Sequence, residues 1–393
     1  MDKKSVEGDI PVSLCNYVDV YKNDLISSDM EFMRATATAS QLRVFELRRG
    51  DVLITKDSET ADDIGVPAYV PEDLDGVVCG YHLSILRANP RIVDSAFLAW
   101  VLRSDSARQH FTAMANGITR FAIGYSDIGS LSIPLPPLDR QQAIARILDE
   151  EAAKIDALIE MKDKLKDLLH DETETLLAMR LWPDPLPSNW RMTPLMRLTQ
   201  SDRPIMYGIV LPGPNVTTGV PLVKGGDVSN GRLNLDVLNK TGYEIEAPFA
   251  RARLKGGDVV LTIRGKYGDC ALVPDQLLGA NITQDIARIS PRKSVNGLWL
   301  LRVLQSRPIR EKISNEALGA AVQGVNIRDV KRYRVPVPPL DEQGALVAEI
   351  ERHLKRVTEI SAQLDAARTK LVEYRAAFIT AAVTGEIDVG SAA

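Results

Sequence analysis

Metal and redox chemistry have little to work with in this 393-residue chain, which contains three cysteines and four histidines. Cys15, Cys79 and Cys270 are far apart and show no metal-ligand spacing. His82, His110, His170 and His353 are equally scattered. An odd, unmatched set of thiols fits reduced cysteines in a cytoplasmic protein rather than a disulfide framework. No run approaches the roughly 18 apolar residues of a membrane span, and the opening "MDKKSVEGDIPVS" has no apolar signal-peptide core.

Catalytic motifs are missing as well. There is no GxxxxGK[ST]: "GKYGD" (Gly265–Asp269) has the Gly-Lys pair but lacks the upstream glycine and the hydroxyl residue. No GxGxxG marks a dinucleotide loop, and "ANPRI" (Ala88–Ile92) is a turn rather than the Asn-Pro-Pro-Tyr of an adenine methyltransferase. Neither Cys79 nor Cys270 has a marked base beside it in sequence. The chain therefore reads as a non-enzyme that binds no cofactor of its own.

What it does contain is a duplication. "IPLPPLDRQQ" begins at Ile133 and "VPVPPLDEQG" at Val335, an offset of 202 residues. The same offset lays Ser104 on Ser306, Arg108 on Arg310 and Asp127 on Asp329. Upstream, "GDVLIT" (Gly50–Thr55) matches "GDVVLT" (Gly257–Thr262), and "YVPEDL" matches "LVPDQL". This period is far longer than the roughly 20–50 residues of a solenoid, so the repeated unit is a domain with its own helix.

Each half keeps one internal order. β-branched runs punctuated by Gly and Pro ("VFELRRGDVLIT", "VVCGYHLSILR"; then "KGGDVVLTIR", "ITQDIARIS") predict strands. An amphipathic helix follows in "SAFLAWVLRSDSARQHF" and "NGLWLLRVLQSRPIREKI", then a Gly-containing loop, then the Pro-rich mark. Successive prolines hold the chain extended. Asp139 and Asp341 are expected as the N-caps of long helices, with Gln142 completing a capping box in the first copy and Gly344 leaving the second incomplete.

Both long segments repeat apolar residues every 3.5 positions, the period of coiled-coil packing. One seam is Leu346, Ile350, His353, Val357, Ile360, Leu364, Ala367, Leu371, Tyr374 and Phe378. The other is Ile144, Leu148, Glu151, Ile155, Leu158, Lys162, Leu165, Leu169, Glu172 and Leu176, with three polar intrusions. Helices of this length run roughly 60 Å. Antiparallel pairing about a pseudo-twofold would put one domain at each end of a rod; the alternative is that each helix packs on its own domain.

Charge separates the halves. The net charge is −4, yet residues 187–337 carry 22 Lys and Arg against 12 Asp and Glu, whereas residues 1–137 carry 13 against 19. A basic block inside an acidic chain concentrates anions locally. The densest run places Arg251, Arg253, Lys255, Arg264, Lys266 and Tyr267 around glycines that let backbone approach phosphates, with Lys224 upstream. "LGAAVQGVN" offers Gln323 and Asn326 for adenine edges, and its counterpart "NGITRFAIGYS" offers Thr119, Arg120 and Tyr125. These residues are the candidate DNA contacts.

The order of a variable mixed domain, a "P-L-P-P-L-x-x-Q" mark and a long helix, written twice, resembles the specificity subunit of type I restriction-modification systems. "PLPSNW" (Pro185–Trp190) is similar to the segment that opens that family's target recognition domains, and "AAVTGEIDV" (Ala381–Val389) to its tail. The resemblance covers nearly the whole chain. It implies an α+β protein in which two mixed α/β target recognition domains are joined by two long helices in an antiparallel coiled coil. The first domain is expected over 1–138, its spacer helix over 139–182, the second domain over 183–338, and the second helix with the tail over 339–393.

The resemblance further implies that the domains read a bipartite site on double-stranded DNA. The helices would set the gap between half-sites and dock two methyltransferase subunits. S-adenosylmethionine, ATP and Mg would be used by those subunits and by the restriction motor-nuclease subunits. One departure stands out: the segment ahead of "IPVSLCNYV" is far shorter than the one ahead of "VPLVKGGDV". An N-terminally truncated first domain is expected, and, being acidic, it is expected to bind DNA less strongly than the second. The competing readings are a coiled-coil scaffold for proteins and a subunit of a related combined restriction and methylation enzyme.

Overall fold

The computed structural model describes residues 8–229, 231–235, 238–265, 267–317 and 324–388. They form two compact units: residues 1–163 with 364–393, and residues 164–363. Each unit thus contains one mixed domain and a part of both long helices.

In the first unit, Ile10–Cys15 pairs antiparallel with Met33–Ala37 and parallel with Leu74–Cys79, which brings Cys15 opposite Cys79. A second sheet orders Pro67–Tyr69, Asp51–Thr55 and Leu83–Arg87. The second unit repeats this arrangement. Val220–Val223 pairs antiparallel with Asn239–Thr241 and parallel with Asn281–Ile282, while Val259–Thr262 pairs antiparallel with Ile286–Ile289. All three cysteines are buried and unbridged, and burial pushes the Cys79 and Cys270 thiols up to about 12. These are core residues.

The duplication extends to single hydrogen bonds. Gly50 and Gly257 both take the left-handed conformation, at φ +89° and +82°, where a side chain would be strained. The aspartate after each then accepts the amide three residues back: Arg48 N to Asp51 Oδ2 at 3.0 Å, and Lys255 N to Asp258 Oδ2 at 2.8 Å. The repeated "GDV" is therefore a turn that needs these two residue types.

The amphipathic segment expected as one helix is two in each half. Ser95–Arg103 and Asp105–Met114 break at Ser104; Gly297–Gln305 and Arg307–Glu316 break at Ser306. At both breaks the serine is extended and its hydroxyl donates to the carbonyl three residues back, Val101 or Val303. Local side-chain bonding of this kind competes with helix continuation.

The long helices span Leu138–Leu181 and Leu340–Thr384. The expected capping is corrected: Gln141 N bonds Pro137 O and Gln343 N bonds Pro339 O. The first turn thus starts two residues earlier, and Asp139 and Asp341 lie inside it rather than at the cap. The glutamine of each mark serves a different purpose. Gln141 is buried, accepts Asp94 N at 2.8 Å and donates to Ile92 O and Pro136 O. Gln343 does the same to Asn296 N, Ser294 O and Pro338 O. Each fixes the short helix of its domain to the start of the long helix.

Within each unit the two long helices run antiparallel. In the first unit Arg140 meets Asp388 and Asp163 meets Arg368; in the second Thr173 meets His353 and Arg180 meets Glu349. Neither packs on its partner helix alone. Ile144, Leu148 and Ala152 share a core with Phe97 and Trp100 of the domain and with Ile379, Ala382 and Val383. Leu177, Leu181, Val347 and Ile350 likewise join Trp299 and Val303 in the core of the second unit. The polar intrusions stay out of these cores: Glu172 is exposed, and Thr173 beside it is the buried residue that bonds His353.

Candidate nucleic-acid interface

In the second unit the strand Val259–Thr262 leads into a corner where three segments converge. Arg264 forms an isolated antiparallel bridge with Gly324, and Val325 N bonds Ile263 O at 2.9 Å. A Cβ on Gly324 would lie 2.6 Å from that same carbonyl, so only glycine allows this approach. Gly225 lies against Arg264 O and Asp285. Lys224, Arg264 and Asn326 are thereby gathered from positions about a hundred residues apart in sequence.

Their side chains are not equally available. Arg264 and Lys255 are exposed and Lys224 is half-buried. Asn326 caps the turn Ile327–Val330, its Oδ1 accepting Arg328 N at 2.8 Å. Arg253 is committed to the buried Glu246 by two bonds of 2.8 and 2.6 Å. The Arg253 hydrogen bonds hold the Glu246 carboxyl below its ordinary range, against the opposing effect of burial. Tyr267 is half-buried against the core of the unit. Lys266 and Gln323 lie outside the described residues.

Arg251 lines a shallow cavity of about 180 Å³ with Tyr207, Phe249, Ile327 and Lys331. The buried Arg288 and the largely covered Arg203 hold this basic run from beneath. Arg288 donates to Arg251 O at 2.5 Å and to Pro204 O, and Arg203 donates to Arg253 O while pairing with Asp258 at 2.7 Å. Burial, then the nearby Arg203, brings the Arg288 guanidinium down to about 10. The backbone of the 251–253 segment is therefore set by interior cations, and its outward face carries Arg251.

The first unit has a different corner. Arg120 is tied to Asp57 by bonds of 2.9 and 2.6 Å, and the segment Phe121–Ala122 pairs with Asp57–Ser58. Thr119 and Tyr125 are exposed. Tyr125 borders an open cleft of about 410 Å³ with Phe45, Lys56, Tyr81, Ser84 and Arg87. Lys56 Nζ lies 4.7 Å from the centre of the Tyr81 ring. His82 Nδ1 is 2.6 Å from Asp57 Oδ1.

The clefts also bring in Lys56, Tyr81, Tyr207 and Lys331, and His82 stands beside Asp57; the sequence alone singles out none of them as a contact. For Tyr81 and His82 the available signal was Gly80, which interrupts the apolar run read as one strand. Among the described residues no group of His, Cys, Asp and Glu could hold a metal ion, and no helix is long and apolar enough to cross a membrane.

The family model for the type I restriction modification DNA specificity domain matches residues 15–167 and again 215–367. The chain is 26% identical over 276 residues to the type I restriction enzyme EcoBI specificity subunit of Escherichia coli, a match covering 65% of this chain and 58% of that one. It is 23% identical over 359 residues to the putative MjaX specificity subunit of Methanocaldococcus jannaschii, covering 88% and 80%. A solved chain from a type I restriction-modification system superposes with a TM-score of 0.76 at 21% identity, covering 96% of this chain and 93% of that one. The HsdS subunit from Thermoanaerobacter tengcongensis superposes at 0.59 with 20% identity, covering 96% and 92%. These two likenesses show the fold.

Proposed function

We propose that this chain, which belongs to the type I restriction-modification DNA specificity family, reads a two-part site on double-stranded DNA and brings methyltransferase and restriction subunits to it. It is the non-catalytic specificity part of such a system. The recognition domains are 1–138 and 183–338, each reading one half of the site, and the helical segments 139–182 and 339–393 carry the partner subunits. Two methyltransferase subunits supply S-adenosylmethionine chemistry, and restriction motor-nuclease subunits supply ATP and Mg chemistry. The site of action is the cytoplasm.

The observation that carries this reading is the doubled family match on a chain whose two halves share the same turns, breaks and glutamine latches. Electrostatics supports it in the second domain, where Lys224 and Arg264 are gathered at one corner and Arg251 and Lys255 are exposed elsewhere on the same basic domain. For partner docking, the first long helix exposes Leu158 and Met161 in one unit and Leu165 and Leu168 in the other. Exposed apolar residues of this size on a charged helix mark a surface that another chain covers.

Methyl transfer tests the division of labour. The purified chain with S-adenosylmethionine and DNA is expected to transfer no methyl group, and adding its cognate methyltransferase subunits is expected to produce methylated adenine. Methyl transfer by the chain alone would overturn the reading.

A further inference from the structure

The acidic first domain contains a local constellation that its net charge conceals. Leu74–Cys79 and Leu83–Arg87 are joined by the tight turn Gly80–His82. A Cβ on Gly80 would sit 2.6 Å from Cys15 O, so the turn lies hard against the sheet edge and is fixed there. From it Tyr81 projects with 63% of its surface exposed, and Tyr125 across the cleft is 81% exposed. Lys56 lies over the Tyr81 ring, and the Tyr81 and His82 rings meet edge to face at 5.2 Å. Two large exposed aromatics on one cleft, one of them on a tight turn beneath a cation, have the composition of a nucleic-acid platform.

His82 adds direction. Its Nδ1 faces the Asp57 carboxylate at 2.6 Å and Arg120 Nη2 at 3.1 Å; Arg120 already donates to Asp57, and the shorter carboxylate contact needs a donor, so the proton of the neutral ring is assigned to Nδ1. Asp57 is also held by Arg120, so the carboxylate is fixed on two sides. The neutral ring then offers Nε2 as a hydrogen-bond acceptor, and Nε2 has no partner among the described residues. In the major groove an acceptor pairs with an exocyclic amino group, adenine N6 or cytosine N4. Arg120, the residue whose sequence context marks it as a DNA contact, acts here as a tether.

We infer that the Gly80–His82 turn is the specificity-determining element of the first domain: Tyr81 packs against a base or sugar face, and His82 Nε2 selects a base bearing an exocyclic amino group. This inference rests on the proposed function, since it assumes that the first domain reads half of a split site.

The test is selection of bound duplexes from a random library by the full chain in complex with its methyltransferase, followed by affinity measurement on the selected site. The wild type is expected to yield a two-part motif. Tyr81→Ala should weaken binding about tenfold, as the loss of one stacked face does. His82→Phe, which keeps the ring and removes the acceptor, should abolish the preference for an amino-bearing base at one position of one part, leaving the other part unchanged. Lys331→Ala in the second domain should leave that first part intact. If the wild type yields a two-part motif and both Tyr81→Ala and His82→Phe reproduce it at full affinity, the inference is wrong and the proposed function stands. If the wild type yields no split motif, both fall together.

Discussion

Arg253 and Arg264 lie eleven positions apart in one basic run, and their surroundings give them different work. Arg253 neutralises a carboxylate that is 1% exposed, whereas Arg264 stands in the open beside Gly324. Arg264→Ala and Lys255→Ala should each reduce the salt slope of DNA binding by about one, measured by titration across salt concentrations. Arg253→Ala should leave that slope nearly unchanged and act on stability instead. The Glu246 carboxyl is depressed when folded, so its contribution is complete above the ordinary carboxylate value of about 4.3 and is lost as pH falls through the lower folded value. Glu246→Gln should cost about 1 kcal/mol near neutral pH, a modest figure because Arg253 is half exposed. The gap to wild type should close in urea melts taken progressively below the ordinary carboxylate range. The charge run was legible in the sequence, but the commitment of Arg253 and Arg120 was not. Their acids, Glu246 and Asp57, are brought to them by folding.

At the scale of elements, the glutamine of each Pro-rich mark joins a domain to its helix. Gln141→Leu would strand Asp94 N, Ile92 O and Pro136 O at a partly buried junction. A destabilisation of about 2–4 kcal/mol in denaturant unfolding is expected, with secondary structure content retained. The mark itself was readable because six of its ten residues recur with one spacing. Its mechanism was misread as aspartate capping because a capping box and a latch use the same residue types a position apart. The long helices were legible from period alone, while their antiparallel course follows from the duplication and from the family resemblance. The break at Ser104 and Ser306 was hidden by an unbroken apolar pattern across it. The turn at Gly80 was hidden in the same way, by strong strand formers on both sides.

For the whole molecule, the proposed function gives the duplication a reason: on that proposal a split target takes one copy of the domain for each half. The readers have diverged in charge and in chemistry. One gathers Lys224 and Arg264 at one corner, the other carries an aromatic turn beside a carboxylate-held imidazole. Nothing in composition distinguished an acidic domain that binds poorly from one whose contacts are few and local, because net charge averages over the surface. The central claim is that this chain decides which DNA sequence its partners modify. Mapping methylated bases across the genome of cells with and without the chain, in the presence of its methyltransferase, tests that claim directly. Methylated adenine confined to a single two-part motif, and gone when the chain is removed, is the predicted result. A motif that persists without the chain, or one that is continuous rather than split, would contradict it.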